Sequence, residues 1–413
     1  MLFICTVLHN FGEGFVMARR PGPRRPAAAL AAALLLTASA AAAADDLPAL
    51  LVQKGVITRA EAEGLGGSVT HGPSFRLATG DGAFSLTPYG YGQVRYTLTS
   101  VDGGTNTSNF AVQRARLGVK GNAFGPDLHY QLFLNVYGGK ANEPVRLFDW
   151  FADYRAGPRV SVKAGQYKVP YAVQWNVSAA QLQFVERGIV DATFRLDRDT
   201  GLSAHGALAE GVTYDVGVFN GEGAEQVNPD VHHLWVARLT AAPLGAFAPH
   251  ESDLERSPEA RVLLVAGAAY DDDVASHTVT SLNGRLAALG TSDLVAWNLF
   301  AGLRRGGGEA RAEYHRRYLD PLAAAAPTET AEGLALQGGW MLSPQVEAAA
   351  RFSYLDPDTH AGGDLTRAAG LGVSRFFAGH RSKLQADLFR ISTQAPGGAL
   401  RDHRLRVQYQ VAF

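Results

Sequence analysis

From about residue 83 to the end, apolar and polar side chains alternate in short segments. In 404–413, Leu405, Val407, Tyr409, Val411 and Phe413 alternate with Arg404, Arg406, Gln408, Gln410 and Ala412. A period of two is that of a strand with unlike faces. Leu128, Tyr130, Leu132, Leu134 and Val136 alternate with His129, Gln131, Phe133 and Asn135. Phe148, Trp150, Ala152 and Tyr154 alternate with Leu147, Asp149, Phe151 and Asp153. Val160, Val162 and Ala164 alternate with Ser161, Lys163 and Gly165. Read this way, the chain predicts strands at 83–98, 110–121, 127–137, 145–155, 159–167, 200–209, 211–219, 231–241, 259–270, 294–303, 309–319, 330–341, 345–356, 364–376, 380–391 and 401–413.

That is an even number of strands, mostly near the ~9–11 residues of a tilted membrane span. The links alternate in length. Gly121–Pro126, Ala156–Pro158, Glu210 and Leu342–Pro344 are short, whereas 99–109, 168–199, 271–293 and 320–329 are long. Short turns at one rim and long loops at the other give that rhythm. The exception is 242–258, a long link where a short turn is due. Lipid offers no hydrogen-bond partner, so spanning strands must close on one another. A soluble sandwich rarely needs so many strands, and no blade-length repeat suggests a propeller. The predicted fold is all-β, a 16-stranded antiparallel transmembrane β-barrel over 83–413.

The amino terminus has a different grammar. Residues 17–44 carry Arg19, Arg20, Arg24 and Arg25, then an Ala/Leu run, then Ala42-Ala43-Ala44. This is the order of a secretory signal peptide, with Met17 as the expected start and cleavage after Ala44. Residues 45–82 read as a periplasmic prefix and linker. Within it, Thr58 and Glu61 make a capping box for a short helix.

Composition then narrows the picture. Cys5 is the only cysteine of 413 residues and precedes the expected cleavage site. A cysteine-free exported chain suits an oxidising periplasm and excludes disulfide frameworks and lipidated cysteines. Mean hydropathy of −0.05 excludes a bundle of membrane helices but not a barrel, whose faces average out. Four of the 38 basic and one of the 39 acidic residues precede residue 45, leaving 34 against 38. Nucleic acid is therefore not an expected partner, and any anion preference must be local.

Two segments carry candidate chemistry. In 110–121, Arg114, Arg116 and Lys120 share one parity, opposite Ala115, Leu117 and Val119. With the apolar parity on lipid, the cations face the lumen, where they either attract anions or brace lumen acids. The link 168–199 is long for a compact domain and too apolar for a solvated tail. Tyr171, Trp175, Leu182, Phe184, Val185, Ile189, Val190 and Phe194 need burial. It either folds inward or packs over the mouth. Folded inward, it brings Arg187, Arg195 and Arg198 to Lys168, with Asp191, Asp197 and Asp199 available to pin those arginines or temper their field.

The stretches QRARLGVKGNAFGPDLHYQL, VKAGQYKVPY, FVERGIVDATFRLDRDTG and YDVGVFNGEG resemble phosphate-selective porins of the O and P type, as does the prefix LLVQKGVITRAEAE. The resemblance spans about 47–245, with strand pattern and Phe413 agreeing beyond. It implies a Gram-negative outer-membrane barrel, usually a homotrimer, with short periplasmic turns and an inward third outer loop. It also implies passage of phosphate or other small anions along Arg114, Arg116, Lys120, Lys163, Lys168, Arg187, Arg195 and Arg198. Tyr409, Val411 and Phe413 would form the signal read by the assembly machinery. The expected permeants are small anions, and the other partner is outer-membrane lipid; no cofactor, metal or catalytic residue is expected. A general non-selective porin of mixed lumen charge is the alternative, and an outer-membrane hydrolase on a barrel scaffold is the third reading.

Enzyme-like signals are weak. Gly201–Gly206 misses the spacing of a nucleophile elbow, and Ser203 and His205 fall on one strand face. His232 and His233, read as strand neighbours, point apart. Asp271, Asp272 and Asp273 read as a loop tip. The sequons at Asn106 and Asn176 are incidental in a bacterial outer-membrane chain.

Overall fold

A computed structural model describes residues 52–55, 58, 68–71, 75–139, 144–323, 326–395 and 397–413. The expected signal peptide and all of the expected prefix helix but 52–55 and Thr58 lie outside the described residues. Two short strands, β1 (Ser68–His71) and β2 (Phe75–Ala78), pair antiparallel, and β2 joins the base of β3. The sixteen strands that follow are β3 (Ser85–Ser100), β4 (Thr107–Asn122), β5 (Leu128–Tyr137), β6 (Arg146–Gly157), β7 (Val160–Lys168), β8 (Arg198–Ala209), β9 (Val212–Phe219), β10 (Leu234–Ala241), β11 (Arg261–Val274), β12 (Ser292–Arg305), β13 (Gly308–Pro321), β14 (Glu329–Ser343), β15 (Val346–Asp356), β16 (Thr366–Phe376), β17 (Ser382–Thr393) and β18 (Leu400–Ala412). Each pairs antiparallel with its neighbours in sequence. β18 returns to β3, from His403↔Ser100 to Ala412↔Tyr91, and closes the barrel. Phe413 completes the seam: its N–H donates to the Gly90 carbonyl, and the Gly90 N–H donates back, at 3.0 and 3.2 Å. A barrel so closed leaves no edge for water or lipid to satisfy.

The alternating parity sorts the two faces. Trp150, Leu202, Trp235, Leu299, Trp340, Leu371, Tyr409 and Val411 are exposed on the outside, as lipid contact requires. Arg406, Gln408 and Gln410 of β18 are buried on the inside. One parity assignment fails. Phe133 pairs with Asp149 and Leu134 with Leu147, so Phe148 is the extra residue of a bulge. A bulge inserts a residue and resets the alternation. Phe148 therefore packs inward beside Phe133, not toward lipid with Trp150.

Links at the outer rim carry structure of their own. Residues 169–197 form a helical turn α1 (Val173–Asn176), a 3₁₀ turn at Ala179–Gln181 and helix α2 (Ile189–Phe194). The link after β11 contains helix α3 (Thr280–Leu289), which buries Leu282 and Leu286 in one apolar cluster that also holds Tyr171, Trp175 and Leu196. The sequence shows no such helix. The strand predicted at 231 begins at Leu234, so His232 and His233 lie in the preceding link.

Candidate functional site

The chain between β7 and β8 runs through the barrel. Leu182, Phe184, Val185 and Val190 are at most 1% exposed. Its apolar side chains need sockets in a polar wall, and wall glycines supply them. A Cβ at Gly333 would lie 2.7 Å from the Phe194 ring, and one at Gly372 2.9 Å from the Phe184 ring. The loop backbone is held by wall side chains from many strands. Lys383 donates to the Leu182 carbonyl at 2.7 Å, and Val185 N–H donates to Asp387 at 3.1 Å. Val173 and Gln174 N–H groups donate to Glu313 at 2.7 and 3.1 Å. Arg351 donates to the Glu186 carbonyl at 2.8 Å. Buried backbone groups must be paired, and here lumen side chains do what a sheet would do elsewhere.

The expected cations divide into matched and unmatched. Arg114 makes a two-pronged bond to Glu186 at 2.8 and 2.7 Å, which Arg95 joins at 3.1 Å. Burial alone would raise Glu186, but Arg114, Arg95 and Arg187 outweigh it and hold the carboxyl well below its usual range. Lys163 meets Asp153 at 3.3 Å, and Arg198 meets Asp149 at 2.8 Å. Lys168 donates to the carbonyls of Trp175 and Val177 at 2.6 and 3.1 Å. Arg187 bonds the carbonyls of Gln174 and Val177 and lies 3.8 Å from Asp191. Arg195 reaches Asp197 only at 3.9 Å. Arg116 bonds Asn135 and Tyr91, and Lys120 stands over the Tyr89 ring at 5.4 Å. Among the described residues neither Arg116 nor Lys120 has a carboxylate partner.

Two aromatic rings gather these cations. The guanidinium carbons of Arg187 and Arg195 lie 4.6 and 4.4 Å from the Trp175 ring centroid, and the Lys168 ammonium lies 5.1 Å away. Arg116 and Arg198 lie 4.5 and 4.2 Å from the Phe148 centroid. Each ring face offsets part of the repulsion between like charges. The Phe148 platform exists because of the bulge, so simple alternation along β6 hides it.

The expected acids split as well. Asp191 is buried with neither oxygen bonded, and burial raises it to about 6 against the pull of Arg187 and Arg195. Asp199, expected beside the arginines, instead accepts from Gly221 and Thr200 N–H at 2.7 Å each and fastens the outer link after β9. Asp272 and Asp273 are not a free loop tip: they grip both nitrogens of His232, at 2.6 and 3.1 Å. Ser203 accepts from Tyr167 at 2.7 Å, and His205 bonds Asp153 at 3.0 Å, so no Ser–His pair forms.

Exposure shows where water runs. The wall from β6 to β10 presents Lys163, Asp153, His205, Arg238 and Asp215, with 17–27% of each side chain exposed. Across the barrel, Arg311, Glu313, Arg351, Lys383, Asp387 and Arg406 keep 8% or less. Here the inward loop fills the lumen against β13–β18, and the wetted residues lie on the β4–β10 side, Lys120 among them, although Asn135, Asp149, Arg198 and Ser203 of that side are buried. Arg238, paired with Asp215 at 2.8 Å, and His205 belong to this wetted wall but carry no motif in the sequence. Their inward parity was the one available signal.

The chain matches the family described as phosphate-selective porin O and P over residues 89–389. No curated protein sequence matches it. Among solved structures it is similar to the trimer form of OmpT, an outer membrane protein of Vibrio cholerae (TM-score 0.51, 14% identity, 79% of this chain and 99% of that one). It is also similar to the outer membrane channel DcaP of Acinetobacter baumannii (0.53, 12%, 80% and 98%). OprB of Pseudomonas putida is a third (0.54, 11%, 81% and 95%). At such identities these likenesses carry the fold alone.

Proposed function

We propose that this chain, an outer-membrane porin that belongs to the phosphate-selective porin O and P family, is a passive diffusion channel favouring small anions, phosphate among them. The observation that carries the reading is the charge surplus on the wetted wall. Lys163 and Arg238 are each matched by an acid, whereas Arg116 and Lys120 face the lumen unmatched. A surplus of fixed cations lowers the electrostatic cost of an anion in a narrow pore and raises that of a cation. Conduction also needs sites weak enough to release the ion. Cations spread over Phe148, Trp175 and Tyr89, instead of converging on one point, suit release.

The general porin is the second reading, and the acid pairing of Arg114, Lys163, Arg198 and Arg238 favours it. Ion replacement in planar bilayers separates the two. Substituting gluconate for chloride should lower single-channel conductance several-fold more than substituting a bulky quaternary ammonium for potassium. Equal losses would support the general porin, and a larger cation effect would sink the anion reading.

Export and assembly belong to the same proposal. Residues 1–44 act as the signal peptide, and the apolar row Tyr409, Val411 and Phe413 is read by the assembly machinery. The protein works as a homotrimer, a state that one structural neighbour also adopts.

A further inference from the structure

The link between β10 and β11, residues 242–260, is too long for a turn at the periplasmic rim, and it does not stay at the rim. Glu251, Ser252 and Asp253 are 0% exposed. The Glu251 carboxylate accepts from Gln183 N–H at 2.7 Å, from Gln337 at 3.0 Å and from Gln174 at 3.1 Å. Two of those donors belong to the inward loop and one to β14. The Glu251 N–H donates to the Gln181 carbonyl at 3.0 Å, and the Glu251 carbonyl accepts from His380 at 2.8 Å. Ser252 donates to Glu347 of β15 at 2.7 Å. Asp253 accepts from Ser257 and from Gly307 N–H, which pins the link to the turn between β12 and β13. Arg304 and Arg311 both donate to the His250 carbonyl. A link that climbs into the barrel with three wholly buried polar residues must be held by such partners, because unpaired they would cost several kcal/mol.

We infer that residues 242–260 are a strap. It enters from the periplasmic side, locks the inward loop to the β12–β17 wall through Glu251, and closes that half of the lumen, so that solutes pass only along β4–β10. Glu251 is the positioning residue. It touches no permeant on the wetted wall, yet it fixes the loop whose outer flank forms the constriction. The inference rests on the porin reading for its meaning but not for its test, because accessibility can be measured without current.

The test uses the full chain as Cys5→Ser, which then contains no other cysteine. Single cysteines are placed at Lys163 on the wetted wall and at Ser374, 3% exposed, on the closed side. Ser374 donates to the Gln183 carbonyl, next to the strap's anchor. Each refolded barrel, checked by heat-modifiable gel migration, is treated with 2-sulfonatoethyl methanethiosulfonate, and the added mass is followed in time. Lys163→Cys should label fast, and Ser374→Cys on the order of a hundredfold slower, since its labelling must await local opening. Adding Glu251→Ala should bring the Ser374→Cys rate up to that of Lys163→Cys and raise single-channel conductance. Glu251→Gln turns a donor toward the three donors it faces; it serves as a second disruption if Glu251→Ala does not refold. Fast labelling of Ser374→Cys with Glu251 intact would overturn the strap, as would unchanged slow labelling once Glu251 is replaced. The predicted labelling order in a barrel that carries no current would uphold the strap and sink the porin reading.

Discussion

The triple variant Arg116→Gln, Lys120→Gln, Arg195→Gln should lose most of the anion preference. Arg116 and Lys120 have no carboxylate partner among the described residues, and Arg195 has Asp197 only at 3.9 Å; Lys168 and Arg187 stay in place because they hold loop carbonyls. A unit charge about 6 Å from a permeating ion, in a water-like dielectric, contributes about 0.7 kcal/mol. Three such charges give about 2 kcal/mol, or roughly thirtyfold in partitioning. Some of that is screened by salt. A fall of about tenfold in the chloride-to-potassium permeability ratio at 0.1 M salt is therefore expected. Neutralising Lys163 removes one positive charge from the wall and leaves Asp153 unpaired, so that variant should also shift the ratio toward cations, but by one charge in place of three. Bilayer recording of both variants checks the claim, and a Lys163→Gln effect as large as that of the triple variant would mean that Arg116, Lys120 and Arg195 do not set the preference.

Glu186→Ala should release the loop. It leaves Arg95 and Arg114, which are 6% and 11% exposed, without a carboxylate. Removing one partner of a buried ion pair costs roughly 3–5 kcal/mol. Glu186 itself keeps 24% exposure, so the low end applies, about 3 kcal/mol. Amide exchange in 177–187 should then quicken by about a hundredfold, while the barrel strands keep their protection. The pH dependence has a defined sign. Glu186 is held well below its usual range in the folded protein, so its contribution is complete above the unfolded carboxyl value. It is lost only as pH falls through the depressed folded value. Loop opening, taken from exchange corrected for its intrinsic pH dependence, that stays flat from neutral pH down to the usual carboxylate range, then rises below it, fits the account. A rise already near neutrality would place the control in another group, Asp191 first among them.

Most of the barrel was legible in the sequence, because lipid outside and polar groups inside force a period of two on every spanning strand. The sixteen predicted strands and the sixteen barrel strands agree to within a few residues at their ends. What could not be read has identifiable causes. The bulge at Phe148 shifts parity by one residue, so a ring assigned to lipid becomes a platform for Arg116 and Arg198. Helix α3 buries only Leu282 and Leu286 of its own residues, too few for a helical period to announce it. The link 242–258 stands out in the sequence only by its length, since nothing local shows that Gln174, Gln183 and Gln337 await Glu251 across the barrel. Parity places Arg114, Arg116 and Lys120, and Asp191 and Asp197 lie beside Arg187 and Arg195 as expected, at 3.8 and 3.9 Å, but the closer acid partners are not local. Glu186 ties up Arg114, and Asp149 ties up Arg198, through contacts distant in sequence. Asp199 turns away to the Gly221 N–H. Strand pattern is local and pairing is not, which is why fold preceded site in legibility.

The central claim is that unmatched lumen cations make this porin prefer anions. It is tested most directly by the zero-current potential of the purified protein in a planar bilayer under a KCl gradient at neutral pH. The account predicts a potential whose sign reports chloride as the more permeant ion, reduced in the Arg116, Lys120 and Arg195 triple variant. A potential of the opposite sign, or one that the triple variant leaves unchanged, would contradict it.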